Sequence, residues 1–232
     1  MSVDPLWALY QSNQPYHYSL NQPVSKLDPG GDVVKAMDAE AKKAIIESVE
    51  SSYESIVEGA FRDDGTLVAS VLKKAAEGQG PESNITILSR LAENDQLIEV
   101  YSKDEYFAHG SDDLPKSYQL VSGVETPSVG NEGKYNAGMT VLPRRDVEAE
   151  KKGSGHMPYS NADNNAVRVY IKQNMTGTGT TKGQTAAHEL FGHVRRYLMW
   201  KLGKASDYWH PAAKTEVAIK KAEENSAKPA TK

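Results

Sequence analysis

Gln184-Thr185-Ala186-Ala187-His188-Glu189-Leu190-Phe191-Gly192-His193 is the stretch on which the reading of this chain turns. It begins a helix expected over about Gln184 to Lys201. Before it lies a tract of threonine and glycine, 176 to 183, flexible by composition. Before that tract, Ala166-Val167-Arg168-Val169-Tyr170-Ile171 alternates apolar and polar residues, as a half-exposed strand should. Strand, glycine loop and helix in succession point to a mixed α+β fold.

The rest of the chain agrees. Val34, Met37, Ala41, Ile45, Val49, Tyr53 and Ile56 recur at three- and four-residue steps, which predicts one amphipathic helix over 34 to 58 with Asp32 as its N-cap and Gly59 as its stop. A second helix fits Thr66 to Glu77. A third fits Glu82 to Glu93, although Ile85-Thr86-Ile87-Leu88 reads equally as a strand. Leu97 to Tyr101 and Met139 to Leu142 read as strands. Residues 109 to 183 hold 10 of the 18 glycines, so turns and short strands dominate there. A closing helix is expected over about Ala212 to Ala227.

Composition narrows the function. The 232 residues carry 27 Lys+Arg against 31 Asp+Glu, a formal net charge of -4, which speaks against nucleic-acid binding by bulk electrostatics. The basic pairs Arg144-Arg145, Lys151-Lys152, Arg195-Arg196 and Lys220-Lys221 are scattered, as on a solvated surface. No cysteine is present, so disulfides, thiolate metal sites and cysteine nucleophiles are excluded. No run reaches the ~18 apolar residues of a membrane span. The opening Met1-Ser2-Val3-Asp4-Pro5 lacks the basic flank and apolar core of a signal peptide, so export is expected only as part of a larger protein or by a carrier. Phosphate loops, dinucleotide fingerprints and Gly-x-Ser-x-Gly elbows are missing.

His188-Glu189-Leu190-Phe191-Gly192-His193 carries the chemistry. Two histidines four apart on a helix, with a glutamate beside the first, hold zinc and supply a base. Here they are five apart. In a regular α-helix five residues turn about 500°, leaving the two side chains about 140° apart and unable to chelate. A π-type turn, which closes after five residues, would bring positions 188 and 193 back into register. Gly192 would let the backbone absorb the insertion cheaply.

His-Glu-x-x-Gly-His, over these six residues, resembles the motif of the dipeptidyl peptidase III metallopeptidases. That resemblance implies that His188 and His193 bind Zn²⁺ and that Glu189 is the base. A second resemblance lies near the start, in Pro15-Tyr16-His17-Tyr18-Ser19-Leu20-Asn21-Gln22-Pro23-Val24 followed by Asp28-Pro29-Gly30. These residues are similar to the closing signature of the Rhs/YD-repeat core, after which that family carries a variable C-terminal domain, often a toxin. It implies that residues 1–31 are the tail of such a core and that 32–232 form a zincin-like effector domain. An immunity protein would be its expected partner, with a peptide or protein as substrate.

A hydrolytic zinc site takes three protein ligands and leaves one position open. The helix around Thr215 to Asn225 offers carboxylates. The Rhs-associated domains place an acidic residue in an Ile-Lys-x-x-Glu context that matches Ile219 to Glu223, making Glu223 the first candidate and Glu224 the second. His210, between Trp209 and Pro211, is the third; His109 and His156 read as loop residues without a spacing partner. Tyr170, Tyr197 and Tyr208 are candidate oxyanion donors, and strand 166–171 is expected to pair with an extended substrate. The rival expectation is a non-catalytic structural or binding tip, with a closed four-ligand metal or none.

Overall fold

A computed structural model of the chain describes residues 33–109, 115–119, 137–143, 166–176, 180–205 and 213–226. Residues 1–31, on which the second resemblance falls, Asp32, His156, Tyr208 and His210 lie outside the described residues, as do Arg144-Arg145 and Lys151-Lys152.

The expected 34–58 helix is four elements. Strand β1 (Val34–Ala36) comes first, then helix α1 (Ala39–Ile46), then a 3-10 turn at Ser51–Tyr53 leading into α2 (Glu54–Gly59). Val34 and Ala36 are buried with Lys35 between them half-exposed, a period of two that the three- and four-residue spacing concealed. Met37, expected on the buried face, is 39% exposed. The break between strand and helix belongs to Asp38, which caps α1 through Oδ1 on the Ala41 amide and accepts the Ser102 amide at Oδ2, 2.8 Å away. The expected Thr66–Glu77 helix is shorter, α3 at Ala69–Ala76.

Ile85 to Leu88 is helical, not extended. Helix α4 (Asn84–Ala92) is capped by Ser83, and its first two amides also donate to the Glu50 carboxylate, at 2.8 and 3.3 Å. Every residue of α4 except Arg90 is buried. Burial on all sides explains why the stretch carried no clear period.

Strands β2 (Leu97–Ser102), β5 (Gly138–Val141) and β6 (Ala166–Ile171) join β1 in a four-stranded sheet of order β1-β2-β6-β5. Its first three strands are parallel and β5 is antiparallel to β6, so the fold is α+β with a small mixed sheet. β3 (Glu105–His109) and β4 (Pro115–Gln119) form a separate hairpin, which puts His109 at a strand end instead of in a loop. Strand 166–171 is central, and five of its six residues are buried, so the half-exposed expectation fails. Arg168 alone reaches outward, pairing with Glu99 across the register at 3.0 Å.

Helices pack on one face of the sheet, where Ile98, Val100, Val167, Val169 and Ile171 join the main core. Tyr101, Tyr106, Met139, Val141 and Tyr170 form a second cluster on the opposite face. The chain closes with α5 (Lys182–Ala187), a π-helix (His188–Val194), α6 (Arg195–Lys201) and α7 (Ala213–Ser226). Among the described residues no helix is long and apolar enough to cross a membrane.

Candidate metal centre

Thr181 caps the helix, which starts at Lys182, two residues before the expected Gln184. Its hydroxyl accepts the Gln184 amide while the Gln184 side chain accepts the Thr181 amide, a reciprocal cap. From there the helix is regular until His188, where π hydrogen bonding takes over through Val194. The five-residue spacing is thereby closed into one turn. The Nε2 atoms of His188 and His193 lie 3.2 Å apart, with ring centroids 5.1 Å apart.

That separation fits a shared ion. Two nitrogens ~2.05 Å from one metal at a tetrahedral angle lie ~3.3 Å apart. The ligand atoms of His188, Glu189 and His193 all lie within 4.8 Å of one another, so the three can hold a metal ion. Glu189 is buried, and its Oε2 accepts a hydrogen bond from the Thr140 hydroxyl on β5 at 2.6 Å. Gly138, two residues earlier, makes that approach fit: a Cβ there would stand 2.7 Å from Glu189 Oε1 and 2.8 Å from Thr185 Cγ2.

Gly192 serves a purpose other than the one its conformational freedom suggested. It lacks the positive φ of Gly65, Gly78 and Gly203. What it provides is space, since a Cβ at 192 would stand 2.3 Å from Ile219 Cγ1 on α7.

Helix α7 is docked so closely by buried amides. Asn84 Nδ2 donates to the Ala222 carbonyl at 2.8 Å and to the Ser48 carbonyl at 2.7 Å, and Asn225 Nδ2 donates to the Glu82 carbonyl. Docking brings Glu223 Oε1 to 2.6 Å from His188 Nδ1. A carboxylate on that nitrogen favours the tautomer protonated at Nδ1, and the Nε2 lone pair then points to where the two rings converge. This is the form in which a histidine binds metal. From the other side, Arg195 clamps Glu82 through two hydrogen bonds of 2.7 and 2.8 Å, tying the end of the π-helix to the start of α4. Arg195 holds the Glu82 carboxyl below its ordinary range, against an opposing push from burial.

The site thus gathers His188, Glu189 and His193, with Glu223 against the Nδ1 edge of His188. Glu224 is exposed on α7. Two of the tyrosine candidates are elsewhere. Tyr170 stacks on Tyr101 on the far side of the sheet, with centroids 5.2 Å apart, and Tyr197 is buried in the main core beside Trp200. Of the basic pairs, Lys220 and Lys221 are exposed and Arg195 is engaged by Glu82. Thr140, Gly138, Asn84 and Asn225 were not singled out in the sequence. For Thr140 a signal existed: the alternation Met139-Thr140-Val141 puts a hydroxyl on the face opposite two apolar residues.

No protein-family model, curated protein or solved structure matches the chain.

Proposed function

We propose that the chain is a zinc-dependent metallopeptidase with a zincin-like arrangement, acting as the C-terminal effector of an Rhs-type protein. The observation that carries this reading is the π-helix, which turns an unpromising histidine spacing into two imidazole nitrogens 3.2 Å apart beside a buried glutamate. Imidazole and carboxylate without thiolate suit zinc in a hydrolytic site. When bound, zinc supplies a Lewis acid that polarises a carbonyl and acidifies water toward neutral pH.

The protein's own residues divide the remaining work. His188 and His193 would hold the metal through their Nε2 lone pairs, and Glu223, whose Oε1 stands 2.6 Å from His188 Nδ1, orients that ring and is the nearest carboxylate on α7 that could complete the ligand set. Glu189 accepts the proton of the attacking water at its carboxylate and passes it to the leaving amine.

Substrate holding falls to β5, not to strand 166–171. β6 is hydrogen-bonded on both sides, whereas β5 is an edge of the sheet among the described strands and carries Thr140 against Glu189. An extended peptide adding to that edge would lie beside the base. Delivery as part of a larger secreted Rhs-type protein, and capture by an immunity protein, rest on the 15–30 resemblance.

Metal analysis of the purified chain tests the reading. Wild type should carry about one zinc per chain, Glu189→Ala should keep it, and His188→Ala and His193→Ala should each lose it. A wild type that takes up no zinc after loading would end the peptidase reading. Loss of peptide hydrolysis in Glu189→Ala, with zinc retained, would assign the base.

A further inference from the structure

Glu189 sits where it could serve either of two incompatible ends. Its carboxylate is within 4.8 Å of both imidazole nitrogens, and ligands of one tetrahedral ion lie ~3.3 Å apart. Closing that gap takes a side-chain movement of at most about 1.5 Å, which would make Glu189 a third ligand from the same helix. The chain would then have a metal site but no base.

We infer that Thr140 is a positioning residue that prevents this, tethering the Glu189 carboxylate to β5 so that it stays a proton acceptor beside the metal position. This rests on the metal-site reading above. The Thr140 hydroxyl donates to Glu189 Oε2 at 2.6 Å, within the range of strong hydrogen bonds to a charged acceptor. Glu189 is only 5% exposed, so water competes little for that oxygen. Gly138 presses the strand against the other side of the same carboxylate, within 2.7 Å of Oε1 for any added Cβ. One edge strand therefore holds the base from two positions of the same face, 138 and 140, both alternate to Met139.

Cobalt substitution tests the tether with the metal alone, because the visible bands of Co²⁺ change when a carboxylate enters its ligand set. Thr140→Val keeps the shape and β-branching of the side chain and removes only the donor. The expected result is a shifted Co²⁺ spectrum in Thr140→Val, an unshifted one in Thr140→Ser, and no difference between Thr140→Val/Glu189→Ala and Glu189→Ala alone. A Thr140→Val spectrum identical to wild type would overturn the inference, as would a shift that persists without Glu189. A wild type that binds no Co²⁺ would instead remove the metal site itself, a failure visible before any variant is compared.

Discussion

Gly192 and Ile219 meet with no room for a side chain between them. Because a Cβ on Gly192 would stand 2.3 Å from Ile219 Cγ1, the π-helix and α7 fit together only through this glycine. Gly192→Ala should lower stability by ~1–3 kcal/mol, the usual cost of overpacking. Shortening Ile219 to Ala in the same chain should recover part of the loss. Chemical denaturation of the two single variants and the double variant measures the coupling, and strictly additive losses would refute the contact.

The fit at Gly138 should respond differently. Gly138→Ala would press on Glu189 Oε1, Glu189 Cγ and Thr185 Cγ2, all within 2.8 Å. The strand must shift away from Glu189 while the two imidazoles stay on their helix. Zinc uptake should therefore survive in Gly138→Ala, while peptide hydrolysis falls by tenfold or so, about 1.4 kcal/mol in the barrier. Zinc content and hydrolysis measured on the same preparation separate the two effects.

Asn84 is fully buried and satisfies two carbonyls from distant parts of the chain, Ser48 and Ala222. Asn84→Ala leaves both without that donor and should cost about 2–3 kcal/mol, a fall of roughly 4–12 °C in Tm for a chain of this size. Because the same bond docks α7, zinc affinity should weaken in parallel through looser placement of Glu223. Calorimetric melting with and without zinc would show this as a smaller metal-induced rise in Tm.

Acid should loosen the clamp at the other end of the π-helix. The folded pKa of Glu82 lies below its ordinary 4.5 chiefly because Arg195 hydrogen-bonds its carboxylate. A depressed pKa stabilises the fold above the ordinary value, and the contribution disappears as pH falls through the folded value. Wild type should thus lose Tm more steeply than Arg195→Gln as pH drops below about 4.5. The Glu82 side chain is 40% exposed, so solvent screening keeps the difference modest. Parallel slopes would mean the clamp contributes nothing.

How far the sequence could be read depended on where each residue's partner lay. The strand at 166–171 was recoverable from alternation, those at 97–101 and 139–142 from their short apolar, β-branched runs, and the grouping of His188, Glu189 and His193 from their own order. The break of 34–58 was hidden because Asp38 is a cap whose second partner, Ser102, is 64 residues away. The burial of strand 166–171 depends on neighbours on both sides, which alternation alone cannot report. Gly192 was recognised for its backbone freedom, yet Ile219, 27 positions on, is what requires it. Thr140 gained its meaning only from pairing between β5 and β6, which turns it toward Glu189.

The π-helix also makes the two rings indifferent to a count of one residue. Five positions closed by π bonding and four closed by α bonding each complete a single turn, so a histidine pair survives either arrangement. Removing Gly192 would leave His-Glu-x-x-His in a regular helix with its rings still side by side. The surplus residue is therefore neutral for the imidazoles and is felt instead by α7, whose Ile219 rests on it. In this chain the local length of one helix sets how closely another can approach, and with it how near Glu223 comes to His188.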